Sequence, residues 1–330
     1  MMAWQKTMRS GVSPDRLVWM LTAIVSIGVT AVLPVLPIYA NQLGASPQFL
    51  GGMMAGYWGA NLVALPASGW LSDRFGRRPV LFIGLLAYGL ASLGFLVVHG
   101  IGAFIVLRAV EGLAGACVIP AAMAYAADCA PAGRQGSSMA KLAAAEHVGI
   151  LIGPMIGGAL AAQLGFGSPF IALGVLCFAG LFLVVRMPES HRPDLAVDQP
   201  GGPGLPPFSW ASVRWTLAWG LAGRSWASGF SIGLYEVVWP LFMLSLGASV
   251  WQITLSWTVF AIPSILLSPV TGRLIDRCGG GRLAVWGAAV SAALTLHYAA
   301  ARDPWFMILL SLIEGIGVAV AYPGQTSLMV

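Results

Sequence analysis

The sequence predicts an all-α integral membrane protein: two parallel-repeat six-helix half-bundles, the second incomplete, with about ten transmembrane helices present. Composition is the first reason. Hydrophobic residues make up 58% of the 330 and charged residues 9%, against roughly 25% charged in soluble domains, and mean hydropathy is +0.83. The second is a succession of apolar stretches of about 20 residues, the length that crosses a ~30 Å hydrocarbon core as a helix. The third is a repeat at an offset of 203 residues. Pro37 falls on Pro240, Leu43-Gly44-Ala45-Ser46 on Leu246-Gly247-Ala248-Ser249, and Pro66 on Pro269. Gly69, Leu71, Asp73, Arg74 and Gly76 fall on Gly272, Leu274, Asp276, Arg277 and Gly279, and Glu111, Gly112 and Pro120 on Glu314, Gly315 and Pro323. Turn residues and embedded charges repeating at one offset imply two related halves of like orientation, with a site at their interface.

In chain order, helices are expected over 17–40, 48–71, 79–98, 101–127, 135–164, 168–186, 219–245, 250–271, 282–300 and 304–328, here called spans 1 to 10. The apolar run from Leu17 to Ala40 is longer than the roughly 7–15 residues of a cleavable signal core. Residues 1–186 are read as an N-terminal six-helix bundle, 187–218 as a cytoplasmic linker, and 219–330 as a C-terminal bundle holding spans 7 to 10. The stretch 187–210, with six prolines and three glycines in 24 residues, reads as flexible. Alternate connections carry the positive charge. Lys6, Arg9 and Arg16 precede span 1, Arg74, Arg77 and Arg78 follow span 2, and Arg134 follows span 4. Arg186, Arg192 and Arg214 follow span 6, and Arg273, Arg277 and Arg282 lie around the connection after span 8, whereas the opposite connections hold only Arg302. The positive-inside rule therefore places the N-terminus in the cytoplasm of a multi-pass protein of the inner (plasma) membrane. Val330 corresponds to Ala127, so the offset implies counterparts of spans 5 and 6 near residues 337–389 and an intact protein of about 390 residues or more. Residues 1–330 alone are expected to form a destabilised bundle without gradient-driven transport, which two further helices would rescue.

Charges inside the spans are the candidate functional groups, because a charge at mid-membrane costs about 2.5–3.5 kcal/mol on insertion scales and is paired or functional. Arg108 and Glu111 stand one turn apart in span 4; Glu146 lies in span 5, Glu236 in span 7 and Glu314 in span 10, where Ser311 replaces the arginine. For each glutamate both reversible protonation and a satisfied structural role fit the pattern. His147, beside Glu146, reads as a packing residue rather than a proton relay. Gly149, Gly153 and Gly157 recur every four residues and form one smooth stripe on span 5, while Pro154 removes a backbone hydrogen bond there. Tyr39, Tyr57, Trp58, Tyr125, Tyr235, Trp239 and Trp257 are candidates to line an amphipathic substrate cavity, although Trp and Tyr also populate membrane interfaces.

The segment Gly69-Trp70-Leu71-Ser72-Asp73-Arg74-Phe75-Gly76-Arg77-Arg78 resembles the GxLxDRxGRR signature of the major facilitator superfamily, and the resemblance covers the chain from span 1 onward. It implies that Gly69, Asp73, Arg74, Gly76 and Arg77 form a conformational latch. In the family its Asp faces helix 11 and its second Arg an acid ending helix 4, here Asp128. The second copy, around Gly272, Asp276 and Arg277, carries Gly280 and Gly281 in place of two arginines, which implies a weaker latch. Gly149-Ile150-Leu151-Ile152-Gly153-Pro154-Met155-Ile156-Gly157-Gly158 is similar to the motif of the superfamily's antiporters. Gly28 with Pro34-Val35-Leu36-Pro37 resembles span 1 of its twelve-helix drug–proton antiporters, and Arg108 with Gly112 and Gly115 the RxxxG motif linked to proton transfer.

The resemblance implies a secondary active transporter, a proton-coupled exporter of small amphipathic or drug-like molecules working by alternating access; a sugar or metabolite carrier, and a non-transporting relic, are the alternatives. An enzyme is not expected, since no zinc, nucleotide or nucleophile motif occurs. Nor is a cofactor or metal expected: the energy source would be the proton gradient, and Cys117, Cys129, Cys177 and Cys278 lack CxxC spacing. The net charge of +5 lies between apolar spans rather than on a basic face, so the expected partners are a small-molecule substrate, protons and the lipid bilayer, not nucleic acid, and the protein is expected to be a monomer.

Overall fold

The structure, a computed structural model, describes residues 13–98, 100–131, 134–190, 215–278, 280–298 and 300–326. Span 1 forms α1 (Pro14–Val32) and α2 (Val35–Gln42), and α3 (Pro47–Phe75), α4 (Arg77–Val97), α5 (Ile101–Asp128), α6 (Gln135–Leu164) and α7 (Ser168–Arg186) complete the first half. The second half contains α8 (Trp215–Ser245), α9 (Val250–Cys278), α10 (Gly280–Tyr298) and α11 (Pro304–Thr326). The continuous helix expected over 17–40 is broken at Leu33–Pro34: Pro34 and Pro37 withdraw two backbone donors within one turn, whereas the isolated prolines Pro66, Pro120, Pro154 and Pro240 lie inside unbroken helices. Of the expected linker, 187–218, only the ends are among the described residues. Residues 215–218 are helical and Met187 is 1% exposed, while 191–214 lie outside the described residues.

Helix starts follow local chemistry. Ser13-Pro14, Ser46-Pro47 and Asp303-Pro304 each place a capping residue before a proline whose missing N–H is no loss. The Ser46 hydroxyl accepts from Phe49 N at 3.4 Å and the Asp303 carboxylate from Phe306 N at 3.1 Å. Ser249 and Gln252 form a reciprocal capping box at α9: Gln252 N donates to the serine hydroxyl at 3.3 Å, and Ser249 N to Gln252 Oε1 at 2.9 Å.

The repeat is visible in three dimensions. Gly44 and Gly247, 203 residues apart, both adopt positive φ (85° and 80°), and Ala45 N and Ala248 N both donate at 3.0 Å to the carbonyl five residues back. A side chain at Gly112 would strike the Tyr57 carbonyl, and one at Gly315 the carbonyl of Phe260, again at the same offset. Thus α5 crosses α3, and α11 crosses α9, at glycines that let backbones touch.

Among the described residues, six stretches, the first running over α1 and α2, are long and apolar enough to cross a membrane, and Gly229–Ser245 and Pro304–Ala319 are shorter apolar helices. Large apolar side chains point outward along the bundle, Val63 (77% exposed), Trp226 (75%) and Leu296 (76%) among them. Lipid covers such a surface at no hydrophobic cost. The result is a two-half helical membrane fold. Inside it, α6 packs on α1 within the first half and on α9 across to the second.

Candidate functional site

A cavity of about 580 Å³ lies between the halves, walled by α1, α3, α4, α5 and α6 on one side and α8 and α9 on the other. It extends toward the face at which α1, α4 and α6 begin, reaching Leu21, Met123 and Met139. The opposite end is closed by a cluster in which Ile38 of α2 packs with Trp239, Met243, Ala248 and Ile253.

The rotation of α6 is fixed by its glycines. A Cβ on Gly149 would collide with Ser26, on Gly153 with Thr30, on Gly157 with the Ala31 carbonyl, and on Gly158 with Thr254 of α9. Close approach lets hydroxyls reach the α6 carbonyls on either side of Ile150, whose own carbonyl loses its helical donor at Pro154. Thr30 donates to Gly149 O at 2.7 Å, and Thr258 from the other half to Leu151 O at 3.0 Å.

Three charged side chains line the cavity: Arg108, Glu146 and Glu236. Arg108 Nη1 donates to Glu111 at 2.7 Å, its guanidinium lies 4.4 Å from the Tyr57 ring centroid, and both members of the pair are buried. The pair is incomplete: Arg108 Nε and Glu111 Oε1 have no hydrogen-bond partner. Such a carboxylate has a free oxygen at which a proton can be held. Glu236 accepts from Trp58 Nε1 at 2.9 Å, a side-chain hydrogen bond that joins the two halves. Glu146 is exposed into the cavity, and His147 Nδ1 is engaged with the Ala143 carbonyl at 2.6 Å.

Glu314 lies elsewhere. Its carboxylate accepts from Tyr298 at 2.6 Å and from Tyr235, buried among α8, α10 and α11. Across the 203-residue offset, Arg108 has become Ser311 while Val32 and Phe95 have become Tyr235 and Tyr298. Two neutral donors replace one cation.

Of the seven aromatic candidates, Tyr57, Trp58 and Trp257 line the cavity, with Tyr88 added. The others are packed away from it. Tyr39 sits among Phe104, Phe166 and Phe170, Tyr125 donates to Pro188 O at 2.9 Å, Tyr235 binds Glu314, and Trp239 donates to Ser256 at 2.8 Å. An aromatic's place along a helix is readable from sequence; its azimuth is not.

At the turn between α3 and α4, Gly76 adopts φ +99°, and a Cβ there would strike the Glu189 carboxylate. Arg77 pairs with Asp73 at 2.5 Å and with Asp128 at 3.2 Å, and Asp128 also accepts from Ser190 at 3.0 Å. Arg74 stacks over Trp70, 5.0 Å from the ring centroid, and Gly69 has open space beside it. Sequence reasoning missed Glu189, whose oxygens accept from Arg77 N at 2.8 Å and Arg78 N at 3.1 Å. The available signal was an α4 that starts after a glycine and so lacks a side-chain cap of its own. Burial pushes the nearby Cys129 thiol up to about 11. In the second copy Gly272 is helical, while the side chains of Asp276 and Arg277 lie outside the described residues.

A profile of the Major Facilitator Superfamily matches residues 18–227 and again 221–330. The quinolone resistance protein NorA of Staphylococcus aureus (strain COL) is 22% identical over 309 residues, covering 92% of this chain and 78% of NorA. An uncharacterised MFS-type transporter of Methanocaldococcus jannaschii is 28% identical over 327 residues, covering 95% and 81%. The fold is shared with a D-xylose–proton symporter (15% identity, TM-score 0.64, covering 97% of this chain and 81% of that one) and with the nucleoside transporter NupG (11%, 0.71, 96% and 82%). A repeat of two helical halves around a central cavity and a profile spanning the chain agree: the protein belongs to the Major Facilitator Superfamily of membrane transporters and resembles its drug-efflux branch.

Proposed function

We propose that the protein exports small amphipathic molecules in exchange for protons, by alternating access of the cavity between half-bundles 1–186 and 219–330. The observation that carries this reading is the incomplete Arg108–Glu111 pair on the helix that walls the cavity, with Glu236 bonded across the halves by Trp58. Glu111 and Glu236 are the proposed proton carriers; Glu314, held by two tyrosines away from the cavity, serves the packing of the second half. The likeness to NorA and the glycine–proline face of α6 support export. The cluster of Asp73, Arg77 and Asp128 acts as the latch that ties α3 and α4 to the end of α5. On this reading the N-terminus is cytoplasmic, the cavity faces inward, Ile38 closes the outer end, the monomer is the working unit and no cofactor is needed.

The test is accumulation of a fluorescent amphiphile in membrane vesicles from cells expressing the full gene product. Inverted vesicles acidified inside should accumulate the dye and lose it when a protonophore is added. Accumulation only in right-side-out vesicles would make the protein an importer, and gradient-independent behaviour in both would remove transport from the reading.

A further inference from the structure

The cavity holds one carboxylate that the coupling scheme leaves without a task. We infer that Glu146 sets the charge preference of the cavity by binding the cationic end of amphipathic substrates, an inference that rests on the export reading above.

The argument begins with the face of α6 on which Glu146 lies. Met139, Ala143, Glu146, Ile150 and Pro154 recur at spacings of three and four residues and all line the cavity, so they form one helical stripe. Next to that stripe, Gly149, Gly153 and Gly157 pack against α1 so closely that a Cβ on any of them would collide with Ser26, Thr30 or Ala31. That contact fixes the azimuth of α6 and therefore aims Glu146 into the cavity instead of into lipid or the α1 seam.

The three charged groups of the cavity wall are held in different ways. Arg108 is neutralised within its own helix by Glu111 and covered by Tyr57. Glu236 accepts from Trp58 and faces the charge of Arg108. Glu146 has neither a hydrogen bond nor an ion pair among the described residues, and it is exposed within the cavity. The wall therefore carries an unmatched negative charge, and the same wall includes the rings of Trp58 and Trp257, whose faces also attract cations. In a cavity lined mostly by apolar side chains a carboxylate discriminates between a cation and a neutral molecule of the same shape more strongly than it does in bulk water, because the attraction grows as the local dielectric falls.

Equilibrium binding to the purified full gene product separates this role from the alternatives. The probes are tetraphenylphosphonium, a lipophilic cation, and triphenylphosphine oxide, a neutral molecule with similar rings. The wild type should bind the cation more tightly. Glu146→Gln should weaken cation binding by about tenfold or more, the ratio that about 1.4 kcal/mol of lost attraction produces, while neutral binding stays within about twofold; Glu146→Asp should recover most of the preference. Equal losses for both probes would mean that Glu146 acts through packing and would overturn the inference, as would an unchanged preference, a wild type that binds both probes alike, or one that does not bind the cation. Because binding needs no gradient, a wild type that prefers the cation but shows no gradient-driven flux in vesicles would defeat the export reading and leave the charge preference standing.

Discussion

Replacing Glu111 with glutamine is expected to abolish proton-driven efflux by the full gene product while changing substrate affinity by no more than a few-fold. Glu111 is fully buried in α5, and one of its oxygens is tied to Arg108 at 2.7 Å while the other has no partner. Glutamine keeps the volume and one acceptor but cannot carry a proton between the two sides. The cavity wall is otherwise left intact, because Glu111 is not among its lining residues. Removing one member of a buried pair can itself destabilise a protein by about 3–5 kcal/mol. Two further measurements keep the result interpretable. Glu111→Asp retains the charge and should retain gradient-dependent flux, and the melting temperature of Glu111→Gln shows whether a loss of transport is a loss of fold. Wild-type rates in a folded Glu111→Gln variant would remove this residue from the mechanism and leave Glu236 as the carrier.

The second large effect is structural. Alanine at Gly157 is expected to destabilise the bundle by about 1–3 kcal/mol, the usual range for overpacking, whereas alanine at Gly59 should be neutral or stabilising by up to about 1 kcal/mol. Both positions are helical glycines, and alanine is the better helix former at each. They differ in what a Cβ meets: at Gly157 the Ala31 backbone carbonyl, at Gly59 nothing within 4 Å. Backbone cannot rotate out of the way as a side chain can, so α6 must move off α1 and carry its cavity stripe with it. Thermal unfolding of the two purified variants gives the comparison. Equal effects of one sign at both sites would show that the seam is not a close contact.

Much of this arrangement is legible in the sequence because the repeat writes it twice. Gly44 and Gly247 mark the same left-handed turn, and Gly112 and Gly315 the same helix crossing, so the 203-residue offset corresponds to backbone geometry. The embedded charges were equally legible, since few charged residues survive in an apolar span without a reason. What stayed hidden depends on azimuth and on contacts across helices. Nothing in the local sequence of Glu314 announces Tyr235 and Tyr298, which come from two other helices and lie 79 and 16 residues away. Tyr39, Tyr125 and Trp239 occupy aromatic or polar pockets of the packed bundle, and their neighbours rather than their periodicity decide that. Glu189 lies where proline and glycine dominate the composition, which makes the stretch read as flexible from sequence. Its capping of α4 and the burial of Met187 show that the first residues of that stretch are anchored. The break at Leu33–Pro34 was hidden by unbroken hydropathy on both sides, although two prolines three residues apart carried the signal.

The central claim is that substrate entering the cavity displaces protons held at Glu236 in its wall and at Glu111, which pairs with the wall residue Arg108. Its most direct test is proton release on substrate binding. The purified full gene product is placed in weakly buffered detergent solution near neutral pH and titrated with a compound that it exports, while the pH of the medium is followed. Release of protons that saturates with substrate, and that disappears in the Glu111→Gln, Glu236→Gln double variant although the compound still binds, is the predicted result. Saturable binding to the wild type with no proton release, and with the same affinity at mildly acidic and mildly alkaline pH, would contradict it.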